Sequence, residues 1–123
     1  MMRAHLVEVL IATHRFRSRE IGEDLFGDPA WDILLDLYNA ETRNLALSSS
    51  NVGRVAGIAQ TTALRWLSIL EHRGLIVRKV DRTDGRRTNI FLSDKGRDCV
   101  ERSLDHFGDL LSAARTSWVP GER

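Results

Sequence analysis

The sequence predicts a mainly α-helical single domain carrying one small β-hairpin, with a helix at either end. Three observations predict it. Apolar residues recur at helical spacing in most of the chain, with a glycine, a proline or a serine cluster marking the breaks. Between residues 75 and 92 the pattern changes to two β-rich runs around an Asp-Gly pair. The length, 123 residues with 42% hydrophobic and 28% charged side chains, supports one core and leaves no room for a second. That composition lies near the globular average and removes disordered and fibrous classes.

The first helix is expected from about Arg3 to Glu20, where Leu6, Val9, Leu10, Thr13 and Phe16 share one face. A turn is expected around residues 22–27. Asp28-Pro29 then reads as an N-cap followed by proline at the first helical position. The helix it opens sets Trp31, Leu34, Leu35 and Tyr38 on one face and points Asp32, Asp36 and Glu41 elsewhere, so its outer surface is expected to be acidic. Leu45-Ala46-Leu47 alternates like a strand but is barely long enough to form one. Ser48-Ser49-Ser50 offers N-caps for a short helix with Val52, Val55 and Ala56 inward, ended by Gly57 and plugged by Ile58.

Gln60-Thr61-Thr62 opens a further helix, running through Ala63, Leu64, Leu67 and Leu70 to a terminal glycine at Gly74. Two helices joined by a short glycine-containing turn form a helix-turn-helix. A hairpin follows at once: strand 75–80, return strand 88–92, and a tip from Asp81 to Arg87 whose Asp84-Gly85 pair favours a tight turn. Ser93 caps a last helix bearing Val100, Leu104, Phe107 and Leu111, and residues 118–123 read as a frayed tail. The whole is a winged helix-turn-helix at 28–92 between an N-terminal helix, 1–20, and a C-terminal helix, 93–117.

Several chemistries find no support. Cys99 is the single cysteine, so there is no intrachain disulfide framework and no cysteine-cluster zinc site. His5, His14, His72 and His106 lack the spacing that presents two ligands on one helix face, and no metal or cofactor is expected. No Ser/His/Asp order, phosphate-cradling glycine loop or paired carboxylates appear, so no catalytic residues and no enzyme activity are expected. The apolar stretch from Leu6 to Ala12 contains Glu8, is too short to span a bilayer and lacks a cleavage site after it. A soluble, cytoplasmic protein is the expectation.

The formal net charge of +1 hides a sharp partition. Residues 1–19 balance at +3, residues 20–41 carry seven acids and no Lys or Arg, and residues 51–92 balance at +5. Such asymmetry points to a face that meets a polyanion. An acidic helix docked on a basic one explains it equally well.

Helix-turn-helix plus a basic-tipped hairpin suits duplex DNA. The second helix can lie in the major groove, where Gln60, Thr61, Thr62 and, one turn on, Arg65 meet base edges. Gln pairs with adenine, Arg with guanine, and Thr with a base or a phosphate. Arg82, Arg86 and Arg87 at the hairpin tip reach phosphates or a narrow minor groove, and Arg54, Arg73, Arg78 and Lys79 add phosphate contacts.

At residues 31–97 the chain resembles the MarR family of winged helix transcription factors. Residues 59–75, ending Leu70-Glu71-His72-Arg73-Gly74-Leu75, resemble that family's recognition helix and its Leu-Glu-x-x-Gly-Leu ending. Asp81-x-x-Asp84-x-Arg86, followed by Leu92-Ser93-x-x-Gly96, is similar to its wing signature, with Ser93 where Thr is commoner. The resemblance implies that Arg86 enters the minor groove, that Asp84 orients the wing bases, and that Thr61, Thr62 and Arg65 meet the major groove. It further implies a homodimer joined through the terminal helices and, in many members, release from DNA by a small, often phenolic, effector; a repressor is the expectation for this chain. Two departures stand out. One helix follows residue 93 where the family commonly has two, and Gly85 replaces a base beside the wing arginine. The dimer is therefore expected to rest on Leu6, Val9 and Leu10 together with Val100, Leu104, Phe107 and Leu111.

Plainer readings stand beside these. The 100/104/107/111 stripe can pack on the chain's own core, Trp66 can cover the edge of its helix, and Cys99 is expected to be buried rather than redox-active. A protein-docking module, with the acidic segment meeting a basic partner, is the alternative to a DNA-binding regulator. A regulator that mainly senses ligand or oxidant is a third reading.

Overall fold

The computed structural model describes residues 3–22, 28–115 and 121. The turn expected at 22–27 and the tail expected at 118–123 lie, but for Gly22 and Gly121, outside the described residues. In chain order the elements are α1 (Arg3–Ile21), α2 (Pro29–Thr42), β1 (Leu47–Ser48), α3 (Ser49–Ala56), α4 (Gln60–His72), β2 (Ile76–Val80), β3 (Thr88–Leu92) and α5 (Asp94–Arg115). The strands form an antiparallel sheet in the order β1-β3-β2, with Leu47 opposite Ile90 and Arg78 opposite Ile90 on its other edge. The strand-like stretch before the serines is thus a real strand, two residues long and shifted toward Ser48.

α2 lies at the centre and packs against α1, α3, α4, α5 and β3. Leu6, Val7, Ile33, Leu37, Val52, Leu67, Ile76, Ile90, Val100 and Leu104 fill the core between them. Complete burial of such side chains contributes ~1.5–3 kcal/mol each.

Two close approaches set the winged helix geometry. At the helix turn, a Cβ on Gly53 would stand 2.8 Å from the Ala63 Cβ and 3.0 Å from the Ile58 carbonyl, so α3 and α4 touch where only glycine fits. Gly57 takes the left-handed φ of +72° that ends α3. At the base of the hairpin, Gly74 is also left-handed, and the Leu75 N–H donates back to the Leu70 carbonyl at 3.0 Å. Ser93 Oγ donates to the Gly74 carbonyl at 2.6 Å and accepts the Gly96 N–H at 2.9 Å. Gly96 presses on the same joint, where a Cβ would lie 2.0 Å from the Leu75 carbonyl oxygen. The Leu-Ser-x-x-Gly motif is therefore a clamp between the end of α4 and the start of α5.

Several expectations are corrected. Leu6, Val100 and Leu104 are buried in the chain's own core, at 2%, 0% and 0% exposure, and cannot supply a dimer surface. Their stripe faces α1 and α2, as Gly108 beside the Leu6 Cδ1 also shows. Val9 and Phe16 face outward, because α1 turns Leu6, Val7, Leu10 and Ile11 toward its neighbours. Leu64 also faces outward, at 40% exposure, leaving Ala63, Leu67 and Leu70 as the inner face of α4. Asp36 is not on an acidic outer surface but buried at 5% exposure, because a helix packed on so many sides has little outer surface left. Asp28 caps α2 by position, without a side-chain hydrogen bond.

Candidate nucleic-acid interface

α4 presents Thr61 and Arg65 to solvent on its outer face, with Thr62 half-buried beside them. Gln60 is exposed, but its Nε2 donates to the Ser49 carbonyl at 3.1 Å. That bond pins the start of α4 to the start of α3, which makes Gln60 a brace of the helix turn before it is a base reader. At the other end of α4, Arg78 of β2 pairs with Glu71 at 3.0 Å, joining helix to wing.

The wing tip is organised by a carboxylate to which the sequence reading assigned no role. Asp81 Oδ1 accepts the Thr83 N–H at 2.8 Å, the Thr83 hydroxyl at 2.7 Å and the Asp84 N–H at 3.2 Å. Its Oδ2 accepts the Asn89 amide at 3.0 Å. Hydrogen bonds from Thr83, with further ones from Asn89 and Asp84, hold the Asp81 carboxyl well below the usual carboxylate range. Asp84 Oδ1 accepts the Arg86 N–H at 3.0 Å, and its carbonyl accepts the Arg87 N–H at 3.0 Å. This 84–87 turn, and not a left-handed Asp-Gly pair, reverses the chain: Gly85 has no positive φ. The signal for Asp81 was its spacing, three residues before Asp84 and eight before Asn89 in the facing strand.

The three tip arginines part company. Arg86 projects with its side chain 95% exposed and only a 3.6 Å contact to Asp84. Arg82 is exposed, and its guanidinium has no hydrogen bond or ion pair among the described residues. Arg87 is turned inward instead: Nε donates to Asn89 Oδ1 at 2.7 Å, Nη2 donates to the Ala46 carbonyl at 2.9 Å, and Asp81 lies 3.7 Å away. It ties the hairpin to the segment before β1, so its guanidinium is engaged within the fold and does not project with Arg86.

The charge partition is resolved partly inside the fold. Asp32 pairs with His14 at 3.2 Å, Asp36 with Arg15 at 3.6 Å and Glu41 with Arg97 at 3.0 Å, so the described acids of α2 dock on α1 and α5. Burial pushes the Asp36 carboxyl up to about 6 and raises that of Asp32, against the pull of the nearby cations. By contrast, the guanidinium groups of Arg54, Arg65, Arg73 and Arg82 have no partner among the described residues. These four bases stay unneutralised on the surface, while Arg78, Arg86 and Arg87 of the same segment each have a carboxylate within 4 Å.

A cavity of about 790 Å³ opens between α1, the start of α2 and the α3–α4 turn. His14, Arg15 and Arg19 line one side, Arg54, Ile58 and Thr62 another. Arg15 also bridges the junction, donating to the Val55 carbonyl at 2.8 Å. Cys99 is half-buried, 3.7 Å from Arg102. Among the described residues no cluster of His, Cys, Asp and Glu could hold a metal ion, and no helix is long and apolar enough to cross a membrane.

No family model and no curated protein match the chain. Solved structures do. A variant of S. aureus MepR superposes with a TM-score of 0.67 at 20% identity, over 98% of this chain and 87% of MepR. The MepR–DNA complex superposes at 0.63 and 21%, over 91% and 87%. CouR, a transcriptional repressor bound to a 23-mer DNA duplex, superposes at 0.51 and 27% identity over 69% of each chain. PcaV, a transcriptional regulator from Streptomyces coelicolor in complex with its natural ligand, does so at 0.54 and 24%, over 92% and 77%. With its helices and hairpin in the expected order and these structures as neighbours, the chain has the winged helix fold of the MarR-type transcriptional regulators.

Proposed function

We propose that this chain is a sequence-specific, double-stranded DNA-binding transcriptional regulator of MarR type, a cytoplasmic homodimer that represses and carries no enzyme activity. One observation carries the reading: Arg65 and Arg73 of the α4 region and Arg82 of the wing tip have no partner among the described residues and Arg86 projects with its side chain 95% exposed, while the described acids of α2 are spent inside the fold. α4 enters the major groove with Thr61, Thr62 and Arg65, and Arg86 enters the minor groove from a tip that Asp81 and Asp84 hold in shape. Arg73 and Arg82 contact phosphates. Gln60 and Arg87 brace these elements from within. The DNA complexes of MepR and CouR support the reading by likeness of fold.

The dimer forms through the terminal helices, on the exposed Val9, Phe16, Ile21 and Leu110, with the uncovered edges of Leu10, Phe107 and Leu111, which also pack on the chain's own core, beside them. A small-molecule effector enters the cavity beside α1, a reading that the ligand-bound PcaV supports. The docking-module alternative loses part of its motive, since Asp32, Asp36 and Glu41 of the acidic segment already have partners.

Selection of bound sequences from a random duplex pool at near-physiological salt tests the proposal. An enriched inverted repeat is expected. Weak, salt-sensitive retention without enrichment would overturn it.

A further inference from the structure

The outer face of α4 carries an apolar side chain that the fold does not use. Thr61, Leu64, Arg65 and Ser68 are exposed at positions i, i+3, i+4 and i+7, one stripe opposite the buried Ala63, Leu67 and Leu70. Leu64 is 40% exposed and, unlike Trp66, is not packed against the core. Its neighbours on the stripe differ in what they offer. Ser68 Oγ turns back to the Leu64 carbonyl at 3.3 Å, whereas the Thr61 hydroxyl and the Arg65 guanidinium have no partner among the described residues.

A hydroxyl, an isobutyl group and a guanidinium therefore lie side by side on the face that the proposed function sets against base edges. In the major groove of unmodified DNA, the apolar group a base displays is the thymine C5-methyl. We infer that Leu64 is a specificity-determining residue that packs on a thymine C5-methyl in each half-site. Against adenine, guanine or cytosine the isobutyl group covers a polar edge and leaves a donor or acceptor dehydrated without a partner. Leu64 thus selects by what it fails to satisfy as well as by what it buries, and Arg65 beside it reads an adjoining guanine.

This inference rests on the DNA-binding reading, and the test separates the two. An operator obtained by selection is resynthesised with each thymine replaced in turn by deoxyuridine, which removes only the methyl group. Binding is measured for the wild-type protein and for Leu64→Ala, whose fold is checked by its thermal transition. At one thymine per half-site the wild type is expected to bind roughly fourfold more weakly without the methyl, the effect of one buried carbon. Leu64→Ala is expected to be indifferent there. Equal losses in both proteins, or no sensitive thymine, would overturn the role of Leu64 while leaving an operator and the DNA-binding reading in place. A pool that yields no operator overturns both.

Discussion

Replacing Asp36 with asparagine tests how the α1–α2 junction balances burial against pairing. The carboxylate is 5% exposed, with Arg15 Nη2 3.6 Å away and His14 and Asp32 close by. Burial dominates and pushes the group from 3.8 to about 6 in the folded state. Because the folded pKa is raised, the folded state holds the proton more tightly. Ionisation therefore costs stability as pH rises through the interval, and the cost is complete above about pH 6 to 7. Raising the group from 3.8 to about 6 corresponds to roughly 3 kcal/mol. Asparagine keeps the shape and removes the ionisation. The stability of Asp36→Asn relative to wild type should then rise by about 2 kcal/mol between about pH 4.5 and 7.5, since part of the cost is already present at the lower pH. Urea unfolding at both pH values, at one protein concentration, measures this difference. A pH-independent difference would mean that pairing with Arg15 balances burial, and one of opposite sign that it outweighs burial; either would refute the reasoning.

Other expectations concern the interface and its supports. Arg65→Ala should cost ~1–3 kcal/mol of binding and relax preference at one base position, as read by competition among single-base operator variants. Arg86→Ala should weaken all sequences alike and reduce the salt slope of binding by about one unit, measured from a titration series in salt. Gly96→Ala should lower the unfolding free energy by ~1–3 kcal/mol or more, because its Cβ would enter the space of the Leu75 carbonyl 2.0 Å away; an unchanged denaturation midpoint would exclude the clamp.

What was legible in the sequence was local. The Gly57 and Gly74 terminations, the 81–87 tip and the Ser93-Gly96 motif depend on hydrogen bonds and backbone freedom within a few residues, and spacing displays such chemistry directly. Less legible was which partner covers an apolar face. Period alone marks Val100 and Leu104 as apolar-facing, and says nothing of whether α1 of the same chain or a second copy lies opposite. Asp36 escaped because the rule that places acids outward assumes a helix with one covered face, and α2 has neighbours on most sides. Gln60 and Arg87 have the right chemistry for DNA, yet their donors meet the carbonyls of Ser49 and Ala46, residues that sequence spacing does not bring close.

The ion pairs matter here more for charge placement than for stability. Pairs as exposed as Arg43–Glu8 contribute ~0–1 kcal/mol at most, so the fold does not depend on them. Their effect is to cancel charge on the side of the molecule built from α1, α2 and α5. Arg15, Arg43 and Arg97 each meet a carboxylate there, whereas Arg65, Arg73 and Arg82 meet none among the described residues. A net charge of +1 is therefore the sum of a net acidic remainder and a net basic segment, residues 51–92, that balances at +5. Approach to a polyanion is governed by the second, because charges beyond about 10 Å are screened at ordinary salt while those on the facing surface are not.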